Sequence, residues 1–263
     1  MYGAAPMAVA AWRALFERVS ERSGVPLEVI DHAFPAALSD LWKRPDLGCA
    51  FMCGWPYVRG VADVIPIAAP VMSDVRAADR PVYWTDIVVR EDDPARSLED
   101  LQGRTVAYTV EDSQSGFNAM RHFLRQRGGG RLFGREFGPV FTPRRAIESV
   151  IARDADAGPV DSFAHALLKL HAPGLAAKVR TIAQTDPTPS PLLVASADLD
   201  NIRAVALREA FIGLADDPAS ESLLRALALR SFSAPLPRDA YLAMDAAARD
   251  AEADGIHRLE PPS

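Results

Sequence analysis

Ser113, Gln114, Ser115 and Gly116 follow one another where a β-branched strand, Thr105 to Val110, gives way to a helix. That helix keeps Phe117, Met120, Phe123 and Leu124 on one face. The first backbone N–H groups of a helix have no partner within it, and the aligned peptide dipoles leave partial positive charge there. Such an opening can hold an oxyanion without any cation. The two serines and the glutamine add side-chain donors, and Gly116 lets a ligand come close to the backbone. The same residues also read as an ordinary cap, in which a serine hydroxyl satisfies the chain's own amides and binds nothing. A second opening of this kind lies at Thr142-Pro143, with Thr142 as N-cap, proline at the first helical position, and Ile147, Val150 and Ile151 as the buried stripe.

Other reactive side chains form no recognisable centre. The five histidines, His32, His122, His165, His171 and His257, lack metal-ligand spacing, and neither a Gly-x-Ser-x-Gly elbow nor a Walker-type phosphate loop is present. Cys49 and Cys53 are four residues apart in an apolar run without a second pair, which points to buried thiols rather than a zinc site or a disulfide. No metal and no cofactor are expected.

With 263 residues, 49% hydrophobic and 24% charged, the chain has enough apolar surface for one large core or two smaller ones. Its net charge of -6 and scattered basic residues argue against a nucleic-acid surface. The longest apolar run, Val64 to Met72, is broken by Pro66 and Pro70 and is too short to span a bilayer. The first residues have no basic region ahead of their apolar ones, so they do not read as a signal peptide; either the protein is cytoplasmic or a leader lies upstream.

The elements that must carry the Ser113 loop alternate along the chain. Helices are predicted over Ala11 to Glu21, 34 to 43, from Ser97 to a stop at Gly103, and from Ser115 to the glycine triplet at 128–130. Further helices are predicted from Thr142 and over Ser162 to His171. Strands are predicted over Gly48 to Cys53, Val64 to Met72, Pro81 to Arg90, Thr105 to Val110, Gly158 to Val160, Val179 to Ala183 and Leu192 to Ala195. From Asp200 onward the pattern is nearly all helical. This alternation implies an α/β fold with mostly parallel sheets covered on both faces. Polar turns near Asp92 and Pro187 bracket a central block, giving lobe one over 1–90 and 188–263 and an inserted lobe two over 91–187, with ligand in the cleft between them.

The order of several motifs resembles the phosphonate/phosphate-type substrate-binding proteins of ABC transporters, a branch of the type II periplasmic binding proteins. The matching pieces are Met1-Tyr2, Cys53-Gly54-Trp55-Pro56, Tyr83 with Ile87-Val-Val-Arg90, and Ser97-Leu-Glu-Asp-Leu-Gln-Gly103. Asp112-Ser-Gln-Ser-Gly-Phe-Asn118 and Asp156-Ala-Gly-Pro-Val-Asp161 complete the set. The resemblance implies two lobes joined by two hinge strands and a small oxyanion such as phosphate or a phosphonate, gripped at Ser113, Gln114, Ser115 and Gly116. It implies an opposite wall of Tyr83, Gly54 and Trp55, with Tyr2 as a further candidate and Asp161 facing the ligand; Asp161 reads equally well as a helix N-cap. It also implies a monomer that serves an ABC permease in the periplasm, binding no nucleic acid.

Three features depart from the family pattern: the near absence of a first strand, Trp84 where a small residue is usual, and Thr142-Pro-Arg-Arg145 in place of a small turn. Trp84 reads either as a cleft aromatic or as core, and Arg144 or Arg145 either as site charge or as solvated surface. Two alternatives share the fold: an enzyme of the decarboxylase or cofactor-biosynthesis type, with Cys53 the nearest nucleophile, and a cytosolic ligand sensor.

Overall fold

The computed structural model describes residues 2–32, 36–127 and 132–260. Met1, residues 34 and 35 of the helix predicted over 34–43, and the glycine triplet at 128–130 lie outside the described residues. In chain order the first elements are α1 (Pro6–Ser23), α2 (Leu38–Trp42), β1 (Ala50–Met52), α3 (Gly54–Val58), β2 (Val64–Met72) and β3 (Val82–Tyr83). There follow β4 (Thr85–Arg90), β5 (Thr105–Ala107), α4 (Ala119–Arg125), β6 (Arg135–Phe137), α5 (Pro143–Ala152) and β7 (Ala157–Asp161). Next come α6 (Ser162–His171), α7 (Pro173–Ala176), β8 (Val179–Gln184) and β9 (Thr188–Pro189). The chain continues with β10 (Leu192–Ser196), α8 (Asn201–Ile212), α9 (Glu221–Ala226), β11 (Leu229–Ser233) and α10 (Arg238–Ala253). No helix among the described residues is long and apolar enough to cross a membrane.

The chain divides into two compact units, one of Met1–Tyr83 with Pro189–Tyr241, the other of Trp84–Thr188 with Leu242–Ser263. In the first, the sheet order is β1-β10-β2-β11 with antiparallel ladders. Strand β2 lies inside that sheet and its residues from Ile67 to Met72 are buried on both faces, which accounts for its apolar character. Helix α1 buries Ala8, Ala11, Trp12, Leu15 and Val19, a stripe at helical spacing, and stops at Gly24, whose φ of 67° suits a residue without Cβ. Trp12 meets Phe51 at 5.1 Å, Phe16 meets Phe211 at 6.1 Å and Phe211 meets Phe232 at 5.1 Å, which ties helices to sheet through aromatic rings.

The second unit is a five-stranded sheet of order β6-β5-β7-β4-β8. Its core gathers Ile87 and Val89 of β4, Val106, Phe117, Met120, Phe123, Phe133 and, from the far end of the chain, Leu259.

The α/β architecture is mixed, but the expected parallel majority is corrected. Among the described ladders only those of β5 with β6 and β7 are parallel. Strand β4 carries the chain into the unit and β8 carries it back to the same junction, so β8 runs antiparallel to β4, as does β7. The strand predicted over Pro81 to Arg90 is two strands interrupted at Trp84, and the boundary expected after residue 90 falls after Tyr83, because β4 is integral to the five-stranded sheet. Residues 242–263, expected with lobe one, belong with the second unit because Leu259 is wholly buried in its core. The helix expected from Ser97 is only a 3-10 turn at Glu99–Leu101, and β11 is a strand inside the stretch expected to be helical. Pairing with β2 gives Leu229–Ser233 its extended form, a tertiary cause that local pattern does not carry.

Candidate functional site

The site is built outward from two strand ends. In the antiparallel pairing of β4 and β7, Thr85 stands opposite Asp161, so both side chains emerge on one face of the sheet. On that face lies the loop that follows β5. Ser113 opens a π-helical turn, Gln114–Asn118, which runs on into α4, and the Asn118 N–H reaches back five residues to the Ser113 carbonyl at 3.0 Å. The expected helix start therefore exists, but its first turn is wider than an α-helix, a geometry that recurs at functional sites.

Each residue of the turn has a distinct task. The Ser113 hydroxyl accepts the Gly116 N–H at 3.0 Å, an N-cap bond. Thr85 Oγ1 donates to the Ser115 carbonyl at 3.0 Å, and the Gly116 carbonyl accepts from the Thr109 N–H at 3.3 Å, so the turn is fastened to β4 and to the segment leaving β5. Gly116 is required by that closeness: a Cβ there would sit 1.9 Å from Thr109 Oγ1. The glycine expected to admit a ligand in fact admits Thr109. The amides of Gln114 and Ser115 donate to no acceptor among the described residues.

Of the two readings its sequence position allowed, Asp161 shows the N-cap. Its Oδ1 accepts the Phe163 and Ala164 N–H groups at 2.9 and 3.0 Å and so caps α6, while Oδ2 accepts from the Ser115 hydroxyl at 3.4 Å. That second bond is long for O–H···O, so the Ser115 proton is only weakly held. A buried carboxylate here is stabilised by the helix start it caps.

Trp84 resolves by strand alternation. It points to the face opposite Thr85, and its indole N–H donates to Asp86 Oδ1 at 3.1 Å. Asp86 also accepts from Gln184 Nε2 at 2.7 Å and bonds His165 Nδ1 at 2.7 Å, forming a buried network behind the sheet. Burial opposes the charge on Asp86, yet the bonds from His165 and Gln184 outweigh it and hold its carboxyl below the ordinary range. Thr142 caps α5 by accepting the Arg145 N–H at 3.1 Å, and Arg144 pairs with Glu148 at 2.8 Å one helical turn on, a half-exposed surface pair.

In the first unit, Gly54 and Trp55 open α3 and are buried, and the Trp55 indole N–H has no acceptor among the described residues. Tyr83 is buried at the end of β3, and Tyr2 sets its ring edge-on to Phe51 at 4.9 Å. Cys49 and Cys53 are free thiols, and burial pushes the Cys49 thiol up. Thr85, Thr109 and Asn118 were not visible as site residues in the sequence. Alternation along β4 could have found Thr85; Thr109 and Asn118 leave no local signal.

The profile of the family described as ABC transporter, phosphonate, periplasmic substrate-binding protein matches residues 4–241. A binding protein component of an ABC phosphonate transporter from Pseudomonas aeruginosa is similar in structure, with TM-score 0.78 at 17% identity over 94% of this chain and 82% of that one. PhnD1 from Prochlorococcus marinus, solved in complex with methylphosphonate, gives TM-score 0.78 at 19% identity over 93% of each chain. A Xanthomonas citri protein bound to ATP gives 0.65 at 18% identity over 94% of this chain and 95% of that one. At such identities the likeness is one of fold. No curated protein matches the sequence.

Proposed function

The chain belongs to the family of periplasmic substrate-binding proteins of phosphonate ABC transporters, and on that premise we propose that it takes up a phosphonate or a closely related oxyanion at the Gln114–Asn118 turn. Members of this family are solute-binding components of transporters rather than enzymes, and they work with an ABC permease. The observation that carries the proposal is the pair of Gln114 and Ser115 amides, both without an acceptor among the described residues, beside the weakly held Ser115 hydroxyl. Together with the Gln114 side chain they offer four donors to one anionic group, two from the backbone and two from side chains.

Asp161 sets the selectivity in this reading. A carboxylate beside the anion repels a fully ionised guest and favours one that retains a proton or carries an ammonium group, either of which can donate to it. Gly54, Trp55, Tyr83 and Tyr2 stay candidates, as the family resemblance implies; Thr142, whose hydroxyl already caps α5, is the weakest of the candidates. The protein would act in the periplasm as a monomer.

Isothermal titration of the purified chain with methylphosphonate, 2-aminoethylphosphonate, inorganic phosphate, sulfate and methanesulfonate tests this. Binding of a phosphonate or of phosphate, with sulfate and the sulfonate weaker, is expected. Binding of none of the five would refute the assignment.

A further inference from the structure

We propose that Asn118 is a positioning residue which decides which end of the Gln114 amide faces the ligand, and that helix α10 fixes it in that role. The inference rests on the reading of Gln114 as a ligand donor. Asn118 is fully buried, and its Nδ2 donates both to Gln114 Oε1 at 2.8 Å and to the backbone carbonyl of Met244 in α10 at 3.1 Å.

The order of constraint runs from the backbone outward. A peptide carbonyl can only accept, so Met244 requires the NH2 end of Asn118. The second N–H of that group then requires the oxygen of Gln114. What remains for the ligand is the Gln114 NH2, which has no acceptor among the described residues and is the polarity an oxyanion needs. Asn118 Oδ1 is left buried without a partner among the described residues, so the arrangement is kept at the cost of one unsatisfied acceptor. Reversing Asn118 would set its oxygen against two others.

Helix α10 is well placed to impose this. The family match ends at Tyr241, yet the segment beyond it is locked to α4 through the buried guanidinium of Arg121. Arg121 donates to the Ile256 carbonyl at 2.8 Å and the Ala248 carbonyl at 3.4 Å, and to Glu252 at 3.2 Å. The segment after residue 241 is thus a support for the ligand turn.

A double-mutant cycle read by titration with methylphosphonate and with inorganic phosphate is the test. If the wild-type protein binds neither, the site reading itself fails. Where it binds, Q114A and N118A should each weaken affinity roughly tenfold, and the double variant should be no weaker than Q114A alone, because Asn118 acts through Gln114. Wild-type affinity in N118A, or losses that multiply in the double variant, would overturn the proposal. Should N118A not fold, side-chain amide NMR of the wild-type protein decides. The Asn118 NH2 should stay protected from exchange with and without ligand while the Gln114 NH2 resonances shift on binding; a labile Asn118 or an unmoved Gln114 would overturn it.

Discussion

At the scale of single residues, the Ser113 to Gly116 turn caps its own backbone and leaves the Gln114 and Ser115 amides without an acceptor among the described residues. Ser113 is spent as a cap, whereas Ser115 keeps a proton that is only loosely engaged with Asp161. Ser115→Ala should therefore reduce binding of a phosphonate by about 1.5–3 kcal/mol, the worth of a hydrogen bond to a charged group, while Ser113→Ala should chiefly lower stability by about 1 kcal/mol as a lost cap. Titration alongside urea unfolding separates the two, and equal effects of both variants on affinity would contradict the division. Gly116→Ala forces a Cβ to within 1.9 Å of Thr109 Oγ1 and should cost about 1–3 kcal/mol. Adding Thr109→Ala should recover part of that loss, since it removes the two nearest obstructing atoms. The serines and the glycine were legible in sequence, but their individual duties were not, because Thr85, Thr109 and Asp161 come from distant stretches of chain.

Among the elements, β4 determines most. Its alternation sends Thr85 toward the Gln114–Asn118 turn and Trp84 with Asp86 toward α6, which separates the face that carries the turn from a buried hydrogen-bonded network. Asp86 and Asp93 are both held below the ordinary carboxylate range. For Asp93, burial is outweighed by the Ala95 N–H, by Arg104 at 2.8 Å and by Arg90 at 3.0 Å. Groups depressed in the folded state add stability that is complete above their unfolded value, about 3.9, and is lost as pH falls through the lower folded value. Their contribution to the thermal midpoint should thus be complete at neutral pH and fall progressively below about 4. Asp93→Asn should lower the neutral midpoint and flatten the acid limb; an unaltered acid limb in that variant would dismiss the role of Asp93. Helices such as α5 and α6 were readable because caps and apolar stripes are local, and α6 begins and ends where its pattern predicts. The strand β11 was not, because its pairing with β2 is set across a long stretch of sequence.

For the whole molecule, the C-terminal segment is the part whose importance was least visible. Leu259 is completely buried among Val106, Tyr108 and Phe133, and its N–H bonds Glu136, while Arg258 reaches Glu136, Glu111 and the Tyr108 ring. Leu259→Ala should destabilise the second unit by about 2–5 kcal/mol. Hydrogen exchange should show the loss in β5, β6 and α4 but not in α1 or β2, and uniform loss across both units would argue against it. The sequence by itself determined the alternating α/β class, the capped helices and the polar helix opening after Ser113, because each is written in neighbouring residues through periodicity, capping and turn chemistry. It also carried enough ordered motifs to indicate the family. Tertiary structure alone decided the direction of the strands, the unit to which β4 and the last residues belong, and the side of the sheet to which each polar group turns. Those depend on pairing and packing between residues far apart in the chain, where no local pattern records the partner.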